Sequence, residues 1–214
     1  MEAESKPPVP VAVAVTAMAN KYTSTGEELY FAYGSNLSPT QMKERCPGST
    51  PIGLAHLPGW TWIINERGYA NIVQINTDRD PDAPKELSET SPVGHKTDGK
   101  ANGQSAAAHG VYGVLYRLDP TDKATLDVYE GVPWSYERQF VEAIWVEGPD
   151  AEKGQKVTVL AYVDYLRVTP DVPRPEYIVR MNSGIDEALS TWKLPQTYVQ
   201  EVMRPFIPND NGEA

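Results

Sequence analysis

The closeness of successive strand-like runs limits this chain more than any other feature. Ile52 to Leu57, Trp60 to Asn65 and Asn71 to Ile75 follow one another, separated only by Pro58-Gly59 and the stretch from Glu66 to Ala70. A parallel pair needs a crossover of about a dozen residues or more, usually a helix, and these gaps cannot hold one. Antiparallel pairing is what such spacing permits. Leu29-Tyr30-Phe31-Ala32-Tyr33 is a further apolar run, as expected of a strand buried on both faces. Gly110 to Tyr116, Gln139 to Val146 and Val157 to Tyr165 read as strands too. In the last of these, Val157, Val159, Ala161 and Val163 share one face, and Thr158, Leu160 and Tyr162 the other.

Helices punctuate the strands at a few places. Ser38-Pro39-Thr40-Gln41 carries a capping Ser, a Pro at the first helical position and a Gln placed for a capping box, and Pro47-Gly48 ends the helix early. Asp119-Pro120-Thr121-Asp122 opens a second, which halts at Gly131. Ile178, Met181, Ile185, Leu189 and Trp192 recur at spacings of three and four, the stripe of a core-facing helix. Lys193-Leu194-Pro195 breaks it, and a last helix runs from Pro195 to Met203. The expected fold class is α+β: a mixed, largely antiparallel sheet or partial barrel with a few flanking helices.

One domain is expected over residues 28–208. Residues 1–27 read as a disordered tail. The apolar run Val9 to Ala19 follows Glu2 and Glu4 rather than a positive n-region, so it does not read as a secretory signal. It is also too short to span a bilayer. Residues 77–108, rich in Asp, Pro, Lys, Ser and Gly, lack the large apolar residues needed to pack and read as a flexible insertion. Residues 209–214 read as a tail. A net charge of −10 with no basic stripe argues against nucleic acid or an anionic membrane surface as partner. A single cysteine, Cys46, rules out an intrachain disulfide and suits a reducing compartment, and the cytoplasm is the expected location. Cys46 itself reads as a partly buried structural thiol.

Several chemistries are disfavoured by pattern. His56, His95 and His109 share no metal-ligand spacing. Tyr33-Gly34-Ser35-Asn36 lacks the G-x-S-x-G of a nucleophile elbow and the G-x-G-x-x-G of a dinucleotide site. Two segments remain. A strand running into Gly34-Ser35-Asn36-Leu37 leaves backbone N–H groups that could form a nest for a carboxylate or carbonyl oxygen, or could be an ordinary strand-to-helix turn. Glu130 stands at the C-terminal end of the second helix, where the helix dipole disfavours a carboxylate. Exposed, it is a solvated helix end. Semi-buried, it would have a raised pKa and serve as a proton acceptor.

Taken as an ordered set, the motifs are specific. Tyr33-Gly34-Ser35-Asn36-Leu37 after an apolar strand, Gly68-x-Ala70-Asn71-Ile72, Leu126-Asp127-x-x-Glu130-Gly131 followed by Tyr136, Pro173-Arg174-Pro175-Glu176-Tyr177, and Gly184 with Leu194-Pro195-x-x-Tyr198 resemble the motifs of the γ-glutamylcyclotransferase family, AIG2-like proteins included. The resemblance spans about residues 28–207. It implies a cofactor-independent cyclisation of a γ-glutamyl group to 5-oxoproline, with release of an amine. It also implies Glu130 as acid/base, Tyr33, Gly34, Ser35, Asn36 and Leu37 as the turn that holds the γ-glutamyl group, Tyr177 at the substrate's amino-acid end, and Tyr136 near Glu130. The implied partner is a small γ-glutamyl substrate, with no metal and no cofactor, and self-association into a homodimer is left open. The chain departs from compact family members in the 77–108 insertion and at Ser183-Gly184-Ile185, where relatives carry a Gly-Ala pair. The insertion and the prolines resemble those of fungal members, some of which serve sulfur-containing secondary metabolism. A cyclotransferase for a glutathione adduct and a non-catalytic γ-glutamyl-binding protein are the alternatives.

Overall fold

The computed structural model describes residues 26–75, 110–149 and 153–209. The expected N-terminal tail up to residue 25, the insertion at 77–108 and the end of the C-terminal tail lie outside the described residues.

Seven strands form. β1 (Glu28–Ala32), β2 (Thr50–Leu57), β5 (Val111–Leu118), β6 (Glu137–Glu147) and β7 (Lys156–Val163) make a closed barrel in the order β1-β5-β2-β6-β7. Every pairing within it is antiparallel except the one that closes it, where Tyr30 of β1 meets Leu160 of β7 in parallel. Closure removes sheet edges and creates an interior that side chains fill. β3 (Trp60–Ile64) and β4 (Ala70–Gln74) pair with each other as a separate hairpin. The mixed, largely antiparallel sheet is therefore present, and its barrel is complete rather than partial.

The local rules explain the helices. Ser38 Oγ accepts from the Gln41 amide at 3.0 Å and caps α1 (Pro39–Arg45). The return half of the expected capping box is not made, because the Gln41 side chain turns instead to Ser35 and Asn36. Asp119 caps α2 (Pro120–Glu130), accepting from Thr121 and Asp122 amides at 2.8 Å each. Gly131, at φ 66°, takes the left-handed conformation that ends α2 directly after Glu130.

α3 (Pro175–Trp192) buries Tyr177, Met181, Gly184, Ile185 and Ala188. The expected stripe is thus rotated slightly. Met181 and Ile185 sit at its centre, while Ile178, Leu189 and Trp192 pack at its partly buried margin. Gly184 lets α3 approach the turn after β1: a Cβ there would lie 3.2–3.3 Å from Leu37 Cβ, Ser35 O and Ser38 N. The last helix consists of α4 (Gln196–Tyr198), running into a π-helical turn at Val199–Met203.

The core fills the barrel and the spaces under α3, with Trp62, Trp145, Tyr116, Tyr198, Phe31 and Leu37 among its largest fully buried side chains. Cys46 belongs to it. Its Sγ lies 3.5 Å from the Asp122 carbonyl, and burial pushes the thiol up to about 11, which suits packing and not nucleophilic attack. Among the described residues, no helix is long and apolar enough to cross a membrane.

Candidate active site

β1 delivers Tyr30 and Tyr33 to one end of the barrel, and the chain then turns sharply through Gly34. That turn is a short 3-10 helix, Ser35–Leu37. Two of the amides expected to be unpaired are used within the protein. The Leu37 N–H donates to Gly34 O at 2.9 Å, and the Ser35 N–H donates to the Tyr177 hydroxyl at 3.2 Å. The reason is that the 3-10 turn satisfies itself and α3 comes close enough for Tyr177 to reach it. Gly34 is what allows this: a Cβ there would lie 2.7 Å from the Tyr177 hydroxyl oxygen.

A cavity of about 290 Å³ opens beside this turn. Of the residues singled out from the sequence, Tyr33, Gly34, Ser35, Asn36, Glu130, Tyr136 and Tyr177 all line it. Leu37 does not: its side chain is fully buried in the core. The cavity therefore gathers residues from β1, the turn, α2, the α2–β6 connection and α3.

Glu130 projects from the last turn of α2 and is half-buried. Burial raises its carboxyl above the ordinary glutamate range. Arg45, the hydrogen bond from Asn36, Arg67 and Arg180 pull the other way. The raised proton affinity expected of a semi-buried Glu130 is present, with burial rather than the helix end as its leading cause.

Asn36 is the hub of the site. Its Nδ2 donates to Glu130 Oε1 at 3.2 Å and to the Tyr30 hydroxyl at 3.0 Å. Its Oδ1 accepts from Gln41 Nε2 at 2.8 Å and Arg45 Nη1 at 2.9 Å. Its carbonyl oxygen accepts from Tyr116 at 3.0 Å. Trp62 Nε1 donates to Tyr33 O at 2.9 Å, fixing the end of β1, and the Tyr33 hydroxyl donates to the Tyr162 carbonyl oxygen.

Tyr177 receives backbone hydrogen bonds from Ala70 and Ser35. Burial pushes its hydroxyl up to about 12, with those two bonds working against the rise. With two amides donating to its oxygen, its own proton is left to be donated elsewhere, and it lines the cavity. Tyr136 does not bond Glu130. Its hydroxyl donates to Ala70 O at 2.9 Å, tying the α2–β6 connection to β4, and burial keeps it neutral.

Sequence reasoning missed the cationic side of the cavity. Arg45 of α1, Arg67 of the β3–β4 turn and Arg180 of α3 all line it, against Glu130 as the carboxylate. Arg45 lies over the Tyr129 ring at 5.0 Å, Arg180 over Tyr177 at 5.0 Å and Arg67 over Tyr136 at 5.2 Å. Arg67 is also 3.7 Å from Asp164, which pairs more closely with Arg167 at 2.7 Å. Tyr30, Tyr69 and Tyr162 were missed too, although Arg67-Gly68 and Tyr177-x-x-Arg180 adjoin motifs that were recognised.

A closed α+β barrel with a half-buried carboxylate facing a glycine turn, in a cavity edged with arginine, defines the class of fold and site. Residues 98–177 match the family model described as Gamma-glutamyl cyclotransferase, AIG2-like. The matched segment holds Glu130, Tyr136 and Tyr177, while the Tyr33–Leu37 turn lies outside it and reaches the site through the fold.

Solved structures share the architecture. An uncharacterized protein of Homo sapiens, loc79017, aligns over 88% of this chain and 93% of its own at 20% identity with a TM-score of 0.59. A Gamma-glutamyl cyclotransferase aligns over 88% of this chain and 92% of its own at 21% identity with a TM-score of 0.58. YkqA of Bacillus subtilis aligns over 84% of this chain and 54% of its own at 18% identity with a TM-score of 0.56. At these identities the likeness is one of fold. No curated protein matches the chain.

Proposed function

We propose that this chain is a γ-glutamylcyclotransferase that converts a γ-glutamyl peptide or amine to 5-oxoproline and a free amine, with Glu130 as acid and base. One observation carries the reading. Among the described residues, the single carboxylate lining the cavity is half-buried, raised in proton affinity, and hydrogen-bonded to the amide of Asn36 beside the turn that the family resemblance assigns to substrate.

The chemistry follows from the groups present. The substrate's α-ammonium cannot attack while protonated, and Glu130 takes its proton. The freed amine adds to its own γ-carbonyl carbon, and a tetrahedral carbon forms within a five-membered ring. Collapse breaks the bond to the leaving nitrogen, which receives the proton from Glu130, while the second proton of the attacking nitrogen passes to the departing amine, so that a neutral lactam and an ammonium are left. Atoms balance without water or any second reagent. A carboxylate whose proton affinity is raised matches both halves of this task better than an ordinary one. Because the attack is intramolecular, holding the reactive conformer contributes much of the acceleration. Effective molarities of roughly 10⁵–10⁸ M are reached by well-oriented cases.

The cavity's charge bears on the substrate. Arg45, Arg67 and Arg180 outnumber Glu130 there, although the whole chain carries −10. A γ-glutamyl amino acid or peptide brings two carboxylates and one ammonium. A simple γ-glutamylamine brings one of each. The excess of arginine favours the former. At about 290 Å³ the cavity sits at the small end of ligand sites, which run from roughly 300 to 1,000 Å³. It suits the γ-glutamyl group itself, with larger leaving groups extending outward past Tyr129.

The test is 5-oxoproline release from a panel of γ-glutamyl dipeptides, their C-terminal amides, γ-glutamylamines, glutathione and glutathione S-conjugates. Release from dipeptides that falls on amidation supports the reading. Preference for an S-conjugate would select the glutathione-adduct alternative, and binding without release would select the non-catalytic one.

A further inference from the structure

The side-chain amide of Asn36 fits its surroundings in one orientation only. Arg45 and Gln41 present donors to Oδ1 at 2.9 Å and 2.8 Å, while Nδ2 faces the Tyr30 hydroxyl at 3.0 Å and Glu130 Oε1 at 3.2 Å. Arginine has donors and no acceptor, and an ionised carboxylate has acceptors and no donor. Exchanging nitrogen and oxygen would set Nδ2 against the guanidinium and Oδ1 against the carboxylate. Both contacts would become repulsive.

Gln41 adds the second hold. It lies on α1 and is not part of the cavity lining, yet its Nε2 reaches both Ser35 Oγ at 2.9 Å and Asn36 Oδ1 at 2.8 Å. The half of a capping box that it fails to make is replaced by this reach.

We propose that Gln41 and Arg45 are positioning residues that clamp the Asn36 amide, so that it donates to Glu130 Oε1 and leaves Oε2 to take up the proton. The proposal rests on the reading of Glu130 as the base, but its test does not require turnover.

Other groups facing Glu130 set the background. Arg45 of α1, Arg67 of the β3–β4 turn and Arg180 of α3 favour its ionised form, and burial opposes it. Tyr30 and Tyr33 from the β1 end, Tyr162 of β7, Tyr136, Tyr177 of α3 and the Cys46 thiol also feel its charge. All six are held above their ordinary values and stay neutral where a glutamate titrates. Gln41 is uncharged, so Gln41→Met alters the clamp while leaving every charge in place.

The experiment is a carbon-13 NMR titration of the Glu130 side-chain carboxyl in the full chain, with the signal assigned by its loss in Glu130→Gln. Loosening the clamp weakens a hydrogen bond to the ionised form, so the midpoint moves up. Gln41→Met is expected to raise it by roughly half to one pH unit, about a 3- to 10-fold gain in proton affinity, with thermal unfolding unchanged. A folded Gln41→Met with the wild-type midpoint would overturn the proposal. Should Gln41→Met not fold, the wild type decides. Asn36 Nδ2 proton signals that shift with the Glu130 midpoint support the clamp, and signals indifferent to that titration overturn it. Loss of the cyclotransferase reading would show separately, as absence of 5-oxoproline release from a protein whose titration behaves as described.

Discussion

At the scale of single residues, Glu130 is held where its charge is costly and only partly offset. Burial raises its carboxyl, and three arginines with Asn36 do not fully reverse that. The sign of the consequence is definite. The folded-state value lies above that of the unfolded chain, so stability is lost as pH rises from the ordinary glutamate value of about 4.3 through the folded value. Glu130→Gln removes this loss. The variant should be more stable than wild type at neutral pH and lose its advantage below about pH 4, as urea unfolding at a series of pH values would record. A variant no more stable than wild type at pH 7 would contradict the burial argument. The same displacement sets activity: the acidic limb of kcat should lie above the ordinary glutamate range, because only ionised Glu130 takes up the ammonium proton. Arg180 gives a second test at this scale. Its guanidinium lies over Tyr177 and lines the cavity, so Arg180→Gln should raise KM for γ-glutamyl dipeptides by roughly tenfold or more while affecting their C-terminal amides less. An equal effect on both would place the carboxylate elsewhere.

At the scale of elements, the site depends on how closely α3 lies against the turn after β1. Gly184 is the point of closest approach, and the atoms it faces include the backbone of Ser35 and Ser38, which cannot swing aside. Gly184→Leu should therefore destabilise by about 1–3 kcal/mol and displace Tyr177 from the Ser35 amide, measured as a lower denaturation midpoint and a raised KM. Glu187 of α3 strengthens the same contact, since its carboxylate accepts from Ser38, from the Thr40 hydroxyl at 2.9 Å and from the Thr40 amide at 3.1 Å. Elements were the most legible part of the sequence. The Ser38 and Asp119 caps, the stop at Gly131 and the strands around short gaps all stand where local chemistry placed them. Local chemistry could not say that β3 and β4 leave the barrel as a hairpin, or that Gln41 abandons its cap for Asn36. Those outcomes are decided by partners distant along the chain. The arginines were hidden for the same reason. Arg45, Arg67 and Arg180 come from three separate elements, and each alone reads as a solvated surface residue.

At the scale of the whole molecule, the family match and the folding unit do not coincide. Residues 98–177 hold β5, α2, β6 and β7, but the neighbours of β5 on either side are β1 and β2, which lie outside the match. A fragment of residues 98–177 therefore exposes both edges of β5 and opens the barrel. It should show no cooperative unfolding transition by circular dichroism, whereas the full chain should. A cooperative fragment would mean that the barrel is not one unit. The site is divided in the same way: the acid/base of the proposed reaction lies within the match, and the turn that faces it comes from β1. This pairing is legible in the sequence, because the ordered set of motifs contains both halves. What it left out was the Asn36 amide bond to Glu130, across 94 positions of the chain.

The most direct measurement is 5-oxoproline release from a γ-glutamyl dipeptide by wild type and by Glu130→Gln, with binding followed in parallel. Release by wild type is expected, with a loss of at least about 10²-fold in the variant and dipeptide binding retained. Near-native release by Glu130→Gln would remove Glu130 from the chemistry, and binding with no release by wild type would make the cavity a receptor for γ-glutamyl groups rather than an active site.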